Sequence, residues 1–244
     1  MCLLNAGQLV FRKAALITLV STALLTALLW HSASFAETSD AKILVEAALE
    51  KLDATDLDES WSFTMEVVEK EELRIVHSDP RREKYNRRQL LSINGEKPDE
   101  ARLEEFREAE EKRIDDLDPD TAGYAYLVDV ETLQVQEEGD GYLKLSFAPR
   151  VKSLEKSRDY LRGGMLLNTQ SQQIEEIEIH NIDTLSPAFS VTVDTYRLAL
   201  TFAQEQGETL IHTLQSHAVG KAGFLKRFDA LVEITFSDYK RAAP

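Results

Sequence analysis

The chain has 244 residues, with 43 acidic side chains against 28 basic ones, a net charge of −15 and a single cysteine. An acid excess of this size repels nucleic-acid phosphates and anionic membrane surfaces, and no basic block offsets it locally, which argues against a nucleic-acid partner. The one cysteine, Cys2, precedes the first apolar run, so the rest of the chain offers no disulfide, no thiol nucleophile and no cysteine ligand for zinc.

Arg12 and Lys13 stand before an uncharged stretch from Ala14 to Trp30, which gives way to small residues ending in Ser34-Phe35-Ala36. A basic start, an apolar middle and an A-x-A-like exit describe a secretory signal peptide over residues 1–36, leaving one domain over 37–244. The predicted location is the periplasm. An uncleaved anchor is the competing reading, because the run approaches the ~20 residues that span a bilayer, but the small-residue exit suits a peptidase better. Loss of the leader takes the net charge from −15 to −17, since it holds two cations and no acid.

The spacing of Ile43, Leu44, Ala47, Ala48 and Leu52 predicts an amphipathic helix from Asp40 to Leu52. Alternation then predicts a hairpin with Trp61, Phe63, Met65 and Val67 on one face, followed by Leu73, Ile75 and His77, and a third strand from Glu83 to Ile93. Asn94-Gly95 ends it, and Pro98 opens a charged helix, Asp99 to Leu117, whose narrow apolar stripe is Leu103, Phe106, Ile114 and Leu117. Tyr124, Tyr126, Val128 and Val130 alternate as a strand, Gly139-Asp140-Gly141 reads as a hairpin tip, and Leu143, Leu145 and Phe147 alternate on the return. A short helix is expected between Ser153 and Leu161. Further strands are predicted at Met165–Thr169, Ile174–Ile182, Phe189–Phe202, Thr209–Val219 and Phe224–Phe236. Within Phe189–Phe202 the apolar set moves from odd to even positions, which places a bulge near Asp194 and Thr195. The fold class is therefore mainly β within α+β: a strongly curved antiparallel sheet or incomplete barrel, covered by the N-terminal helix and the inserted charged helix.

This order of a leader, an amphipathic helix, three strands, a helical interruption and a long antiparallel run resembles the periplasmic lipoprotein-carrier and lipoprotein-localisation proteins of bacteria. The segments Leu90–Pro98 and Phe236–Tyr239 are similar to those of an uncharacterised group of exported Gram-negative proteins. The resemblance implies a sheet wrapped around a hydrophobic cavity and a lipid-like ligand class, and carries no site residue across.

Catalytic chemistry finds little support. His77, His180, His212 and His217 are scattered, and the last two, five apart on one strand, face opposite sides. Glu175, Glu176 and Glu178 alternate with isoleucines as the wet face of a strand rather than as paired acids. Ser186-Pro187 and Ser237-Asp238 lack a nucleophile elbow and fit turns. Gly220-Lys221-Ala222-Gly223 lacks the downstream residues of a phosphate loop and reads as a hairpin connection, while Gly163-Gly164 marks a kink or a close approach to a ligand. No catalytic residue, metal site or cofactor is assigned.

The apolar face carries the functional expectation. Trp61, Phe63, Met65, Leu143, Leu145, Phe147, Phe224, Phe228, Val232 and Phe236 all point inward if the sheet curls, and the two helices look too narrow to seal that face. The expected function is a non-catalytic binding protein for a lipid, acyl chain or lipidated peptide, with Leu103, Phe106, Ile114 and Leu117 on a lid. A plain hydrophobic core is the bland alternative for those residues. The alternative function is an acidic envelope module that docks another protein and holds no internal ligand.

Overall fold

The structure, a computed structural model, describes residues 39–116, 123–223 and 226–242. The leader, Leu117 and Phe224 lie outside them. The sheet belongs entirely to the compact unit 42–244. Among the described residues no helix is long and apolar enough to cross a membrane.

Helix α1 (residues 39–54) forms where the apolar spacing predicts it. Val45, Ala48, Leu49 and Leu52 recur every three or four positions and are all buried, the signature of a helix resting on a core. A single turn, α2 (Leu57–Ser60), capped by Asp56, hands the chain to β1 (Trp61–Glu69). There follow β2 (Glu72–Ser78), β3 (Arg88–Ile93), α3 (Glu100–Asp115), α4 (Tyr124–Leu127), β4 (Val128–Gly139) and β5 (Tyr142–Pro149). A 3₁₀ segment (Lys152–Tyr160) leads into β6 (Leu161–Asn168), β7 (Gln173–Asn181), β8 (Leu185–Ala188), β9 (Val191–Glu205), β10 (Glu208–Ala222) and β11 (Lys226–Arg241).

All eleven strands join one antiparallel sheet that does not close, in the order β3-β2-β1-β11-β10-β9-β7-β6-β5-β4, with β8 paired to β9 beyond the end of β7. The first hairpin is thereby annealed to the last strand: Met65 lies opposite Phe236 and Val67 opposite Ile234. Curvature follows from one contact. Tyr124 precedes β4, four inter-strand spacings from β9, which is about 19 Å on a flat sheet. Its ring nevertheless meets Phe202 of β9 edge-on with centroids 5.2 Å apart. The α4 turn and a curled sheet together bring those side chains within reach of each other.

Several predicted elements change. The third strand starts at Arg88 rather than Glu83, because residues 84–86 form a 3₁₀ turn, and the Asp79 carboxylate accepts from the Arg81 N–H while the Asp79 N–H donates to the Arg87 carbonyl. Tyr124–Leu127 is a helical turn rather than the start of a strand. Asp53 of α1 reaches across to accept the N–H groups of Tyr124 at 2.6 Å and Ala125 at 3.0 Å, capping that turn from outside the local sequence. The strand predicted over Phe189–Phe202 starts at Val191 instead, with Phe189 and Ser190 forming the turn between β8 and β9. The expected bulge is present: one β10 step from Val219 to Gly220 spans two residues of β9, Thr195 to Val193, leaving Asp194 as the extra residue. Asn181 fills the gap, donating to the Asp194 carbonyl and accepting from the Tyr196 N–H.

Candidate functional site: the concave face

The inner face of the sheet has a sealed floor, an open middle and a second sealed end. On the floor, Trp61, Phe63, Met65 and Phe236 are all below 8% exposed. Phe63 packs on Phe236 and on Tyr239, each with ring centroids 5.9 Å apart, and Trp61 meets Tyr239 edge-on at 6.1 Å. Simple alternation would turn Tyr239 outward, since Phe236 faces in. Between the pairs Ser62–Lys240 and Thr64–Ser237 the β11 strand carries one extra residue, and Asp238 takes φ = 56° there. Aspartate is among the few side chains that tolerate this left-handed conformation, and the bulge returns Tyr239 to the inner face. Its hydroxyl donates to the Ile211 carbonyl, and burial drives its pKa upward. Burial likewise pushes Tyr124 up to about 12, helped by the Asp53 carboxylate.

Leu143, Leu145 and Phe147 are buried on β5, as the alternation predicts. Gly163 on β6 lies opposite Phe147, and a Cβ there would stand 2.4 Å from the phenyl ring. This glycine admits an aromatic ring of the chain itself, which answers the question of close approach in favour of packing. Gly164, facing the other way, meets nothing within 4 Å.

Moving along the strands, cover is lost and then regained. Beyond the buried Met65–Phe236 row lies Val67–Ile234–Leu214, all half-buried, and then Val232–Ser216–Leu198, half-buried again. In the next row Ala230 is exposed while Ala218 and Tyr196 are half-buried. Burial returns where Leu154, Leu161, Leu185 and Val193 form a second cluster, with half-buried Phe228 packed against it. Of the residues expected to face a ligand, Trp61, Phe63, Met65, Leu143, Leu145, Phe147 and Phe236 thus lie in the core, Val232 lines the open middle and Phe228 its far margin. Val67, Leu198, Leu214 and Ile234, which the sequence reading did not select, complete the open strip. Their signal was available in the alternation of β1, β9, β10 and β11, but alternation does not say which part of a buried-type face goes uncovered.

The expected lid residues Leu103, Phe106 and Ile114 are half-buried, and no residue of α3 is buried. The helix packs beside β3 and the 84–86 turn, at the margin of the sheet. Charge ties it there. Arg102 grips both carboxylate oxygens of Glu72 at 2.6 and 2.8 Å, and Arg113 donates to Glu110 at 2.9 Å beside Arg88 and Asp58. An open cavity of about 630 Å³ separates α3 from the β1–β2 turn, but Glu69, Glu72, Arg74 and Arg102 dominate its wall and are ion-paired among themselves.

No group of three or more histidine, cysteine or carboxylate side chains among the described residues could hold a metal ion. His77 on β2 and His180 on β7 stand five strands apart in the sheet order. His217 pairs with Asp229 at 2.9 Å, and Glu178 accepts from Arg197 on the outer face. No family model, curated protein or solved structure matches this chain.

Proposed function

We propose that this is an exported, non-catalytic protein of the cell envelope that binds a hydrophobic ligand, an acyl chain, lipid or lipidated peptide, against the open strip of the concave face. The observation that carries this reading is the half-exposed band Val67, Leu198, Leu214, Val232 and Ile234, contiguous across four neighbouring strands and set between two sealed clusters. Leaving such side chains half open forgoes about 1 kcal/mol each relative to full burial, which an apolar guest recovers. The band is mostly apolar, but Ser216 lies within it, and Arg74 and Glu69, opposite Val67 and Val232, edge it on the β1–β2 side, so the reading leaves room for a polar headgroup at that edge beside the acyl chain. The architecture-level likeness to lipoprotein carriers agrees with it.

The test is native mass spectrometry of protein purified from membrane-containing cells, with displacement of a fluorescent fatty-acid analogue as the quantitative arm. Saturable binding that Leu214→Glu and Ile234→Glu weaken at least tenfold supports the proposal. A protein that carries no lipid, and whose weak dye binding ignores both substitutions, overturns it. The alternative of an acidic docking module draws on α3, which buries no residue and exposes Glu104, Glu105, Glu108 and Glu111. Capture of a partner that is lost as salt rises, with no lipid present, would favour that reading instead.

A further inference from the structure

We infer that the end of the sheet formed by the β8–β9 turn, the last residues of β10 and the first of β11 is a docking surface for an anionic lipid bilayer. Phe189, at the β8–β9 turn, is 107% exposed, as open as in an extended chain. Gly223, just after β10, is held beside it, its N–H donating to the Ser190 carbonyl at 2.7 Å. On the β10–β11 side Lys221, Lys226 and Arg227 are exposed and make no ion pair among the described residues, whereas Arg74, Arg87, Arg88 and Arg102 are all paired.

The charge pattern selects the partner, and it corrects the expectation from composition that no local basic block offsets the acid excess. In a chain with 43 acidic residues, the segment Thr184–Val193 has no charge and Val219–Phe228 has three cations and no acid. Asp194 and Asp229 line a shallow hollow with Lys221 and Arg227, Asp229 being engaged by His217; Asp183 precedes the uncharged segment, and the 3₁₀ segment packed on β8 sets Glu155 and Asp159 against Lys152, Lys156 and Arg158. Repulsion from the acidic remainder is screened beyond about 8 Å at physiological salt. A bilayer touching the tip therefore meets cations and one fully open aromatic ring, the combination that holds peripheral proteins at an anionic interface. One ring and three cations give reversible rather than permanent attachment. The inference does not depend on what the concave face binds.

The test is co-sedimentation of the full chain with vesicles of phosphatidylglycerol and phosphatidylcholine in equal parts, and with phosphatidylcholine alone, at low and high salt. Comparison with the parent chain cancels any contribution from the apolar leader. Selective binding to the anionic vesicles that falls about fivefold in Lys226→Gln, falls similarly in Phe189→Ser, and weakens with salt supports the docking surface. A Phe189→Trp variant should in addition be quenched by brominated lipid. Equal binding to both vesicle types, or binding unchanged in the two tip variants, overturns the inference. Both sites are exposed, so unchanged thermal unfolding is expected of these variants.

Discussion

Helix α3 can be released from the sheet by salt, and Arg102→Ala is the perturbation that shows it. Leu103, Phe106 and Ile114 are half-buried, which amounts to about 3 kcal/mol of apolar docking in all. Ties to other elements come from Arg102–Glu72, Arg88–Glu110, Arg113–Asp58 and the Tyr85 hydroxyl donating to Asp115. Partly exposed pairs contribute about 0.2–1 kcal/mol each, so these add about 2 kcal/mol. The total is well below the ~10 kcal/mol expected for the whole domain, and α3 should open before the sheet does. Arg102 holds both oxygens of Glu72, which puts its share near the upper end, about 1 kcal/mol. Removing it should raise the opening constant of α3 amides about fivefold in hydrogen exchange at low salt, with β5–β7 amides unaffected. At 1 M salt the screening length is about 3 Å, so the parent helix should open more readily and the gap between parent and variant should shrink. Exchange of α3 only through global unfolding, or a difference that persists undiminished at 1 M salt, would refute electrostatic latching and leave packing of the arginine stem as the cause.

Other consequences follow from particular contacts. Asp129 accepts from Arg150 at 2.8 Å and from Arg158; burial opposes its charge, but Arg158's hydrogen bond and both guanidinium charges hold its pKa below the ordinary value. Asp129→Asn should cost about 2 kcal/mol, lowering Tm by about 4–8 °C, and because a depressed carboxylate stabilises above its unfolded pKa, the deficit should fade as the pH falls through the lowered value. Asp79 is held down to about 2 chiefly by the hydrogen bond from Arg81, so carboxyl NMR should show it ionised until well below the unfolded midpoint, with its contribution to stability lost from the ordinary carboxylate range down through about 2. Burial holds Tyr124 up at about 12 and raises Tyr239 and Tyr196 as well, and a raised phenol stabilises below its unfolded pKa, so ultraviolet titration should show several tyrosines ionising late and thermal stability falling from about 10 upward. Gly163→Ala should destabilise by about 1–3 kcal/mol, read by urea unfolding, because its methyl group must displace Phe147, whereas Gly164→Ala, with open space, should not suffer that overpacking penalty.

Much of the sheet was legible because its chemistry is local. Period-two alternation located β1, β2, β5 and β7, and the switch of parity inside β9 located the Asp194 bulge before any coordinates. The charged helix starts within one residue of its predicted limit because Asp99 caps its N-terminus, accepting from the Arg102 N–H. What failed was set by distant partners. Tyr124 and Tyr126 alternate with Val128, yet the segment turns helical because Asp53, some seventy residues away, supplies the cap. Tyr239 was passed over because Ser237-Asp238 reads as a turn, when the same left-handed tolerance of aspartate builds a bulge within a continuing strand. The pairing of β1 with β11 has no sequence signature, since alternation specifies a face and not a neighbour.

The open middle of the concave face is a consequence of element lengths. Helix α1 spans 16 residues, 39–54, about 24 Å at 1.5 Å per residue, whereas the 15 residues of β10 extend about 50 Å at 3.4 Å per residue. A helix of that length cannot cover such strands from end to end. The chain closes the far end separately, laying the 3₁₀ segment against β8 so that Leu154 and Leu185 bury Val193. Two short covers at opposite ends of long strands leave an interval between them, and α3, with its length and an apolar stripe, lies at the β3 margin instead of across it. The bulges at Asp194 and Asp238 mark the limits of that interval: one turns the strand into the far cluster, the other turns Tyr239 onto the floor. A longer helix or shorter strands would have sealed this face, and the mismatch of lengths is what leaves the band uncovered and accessible to the proposed apolar guest.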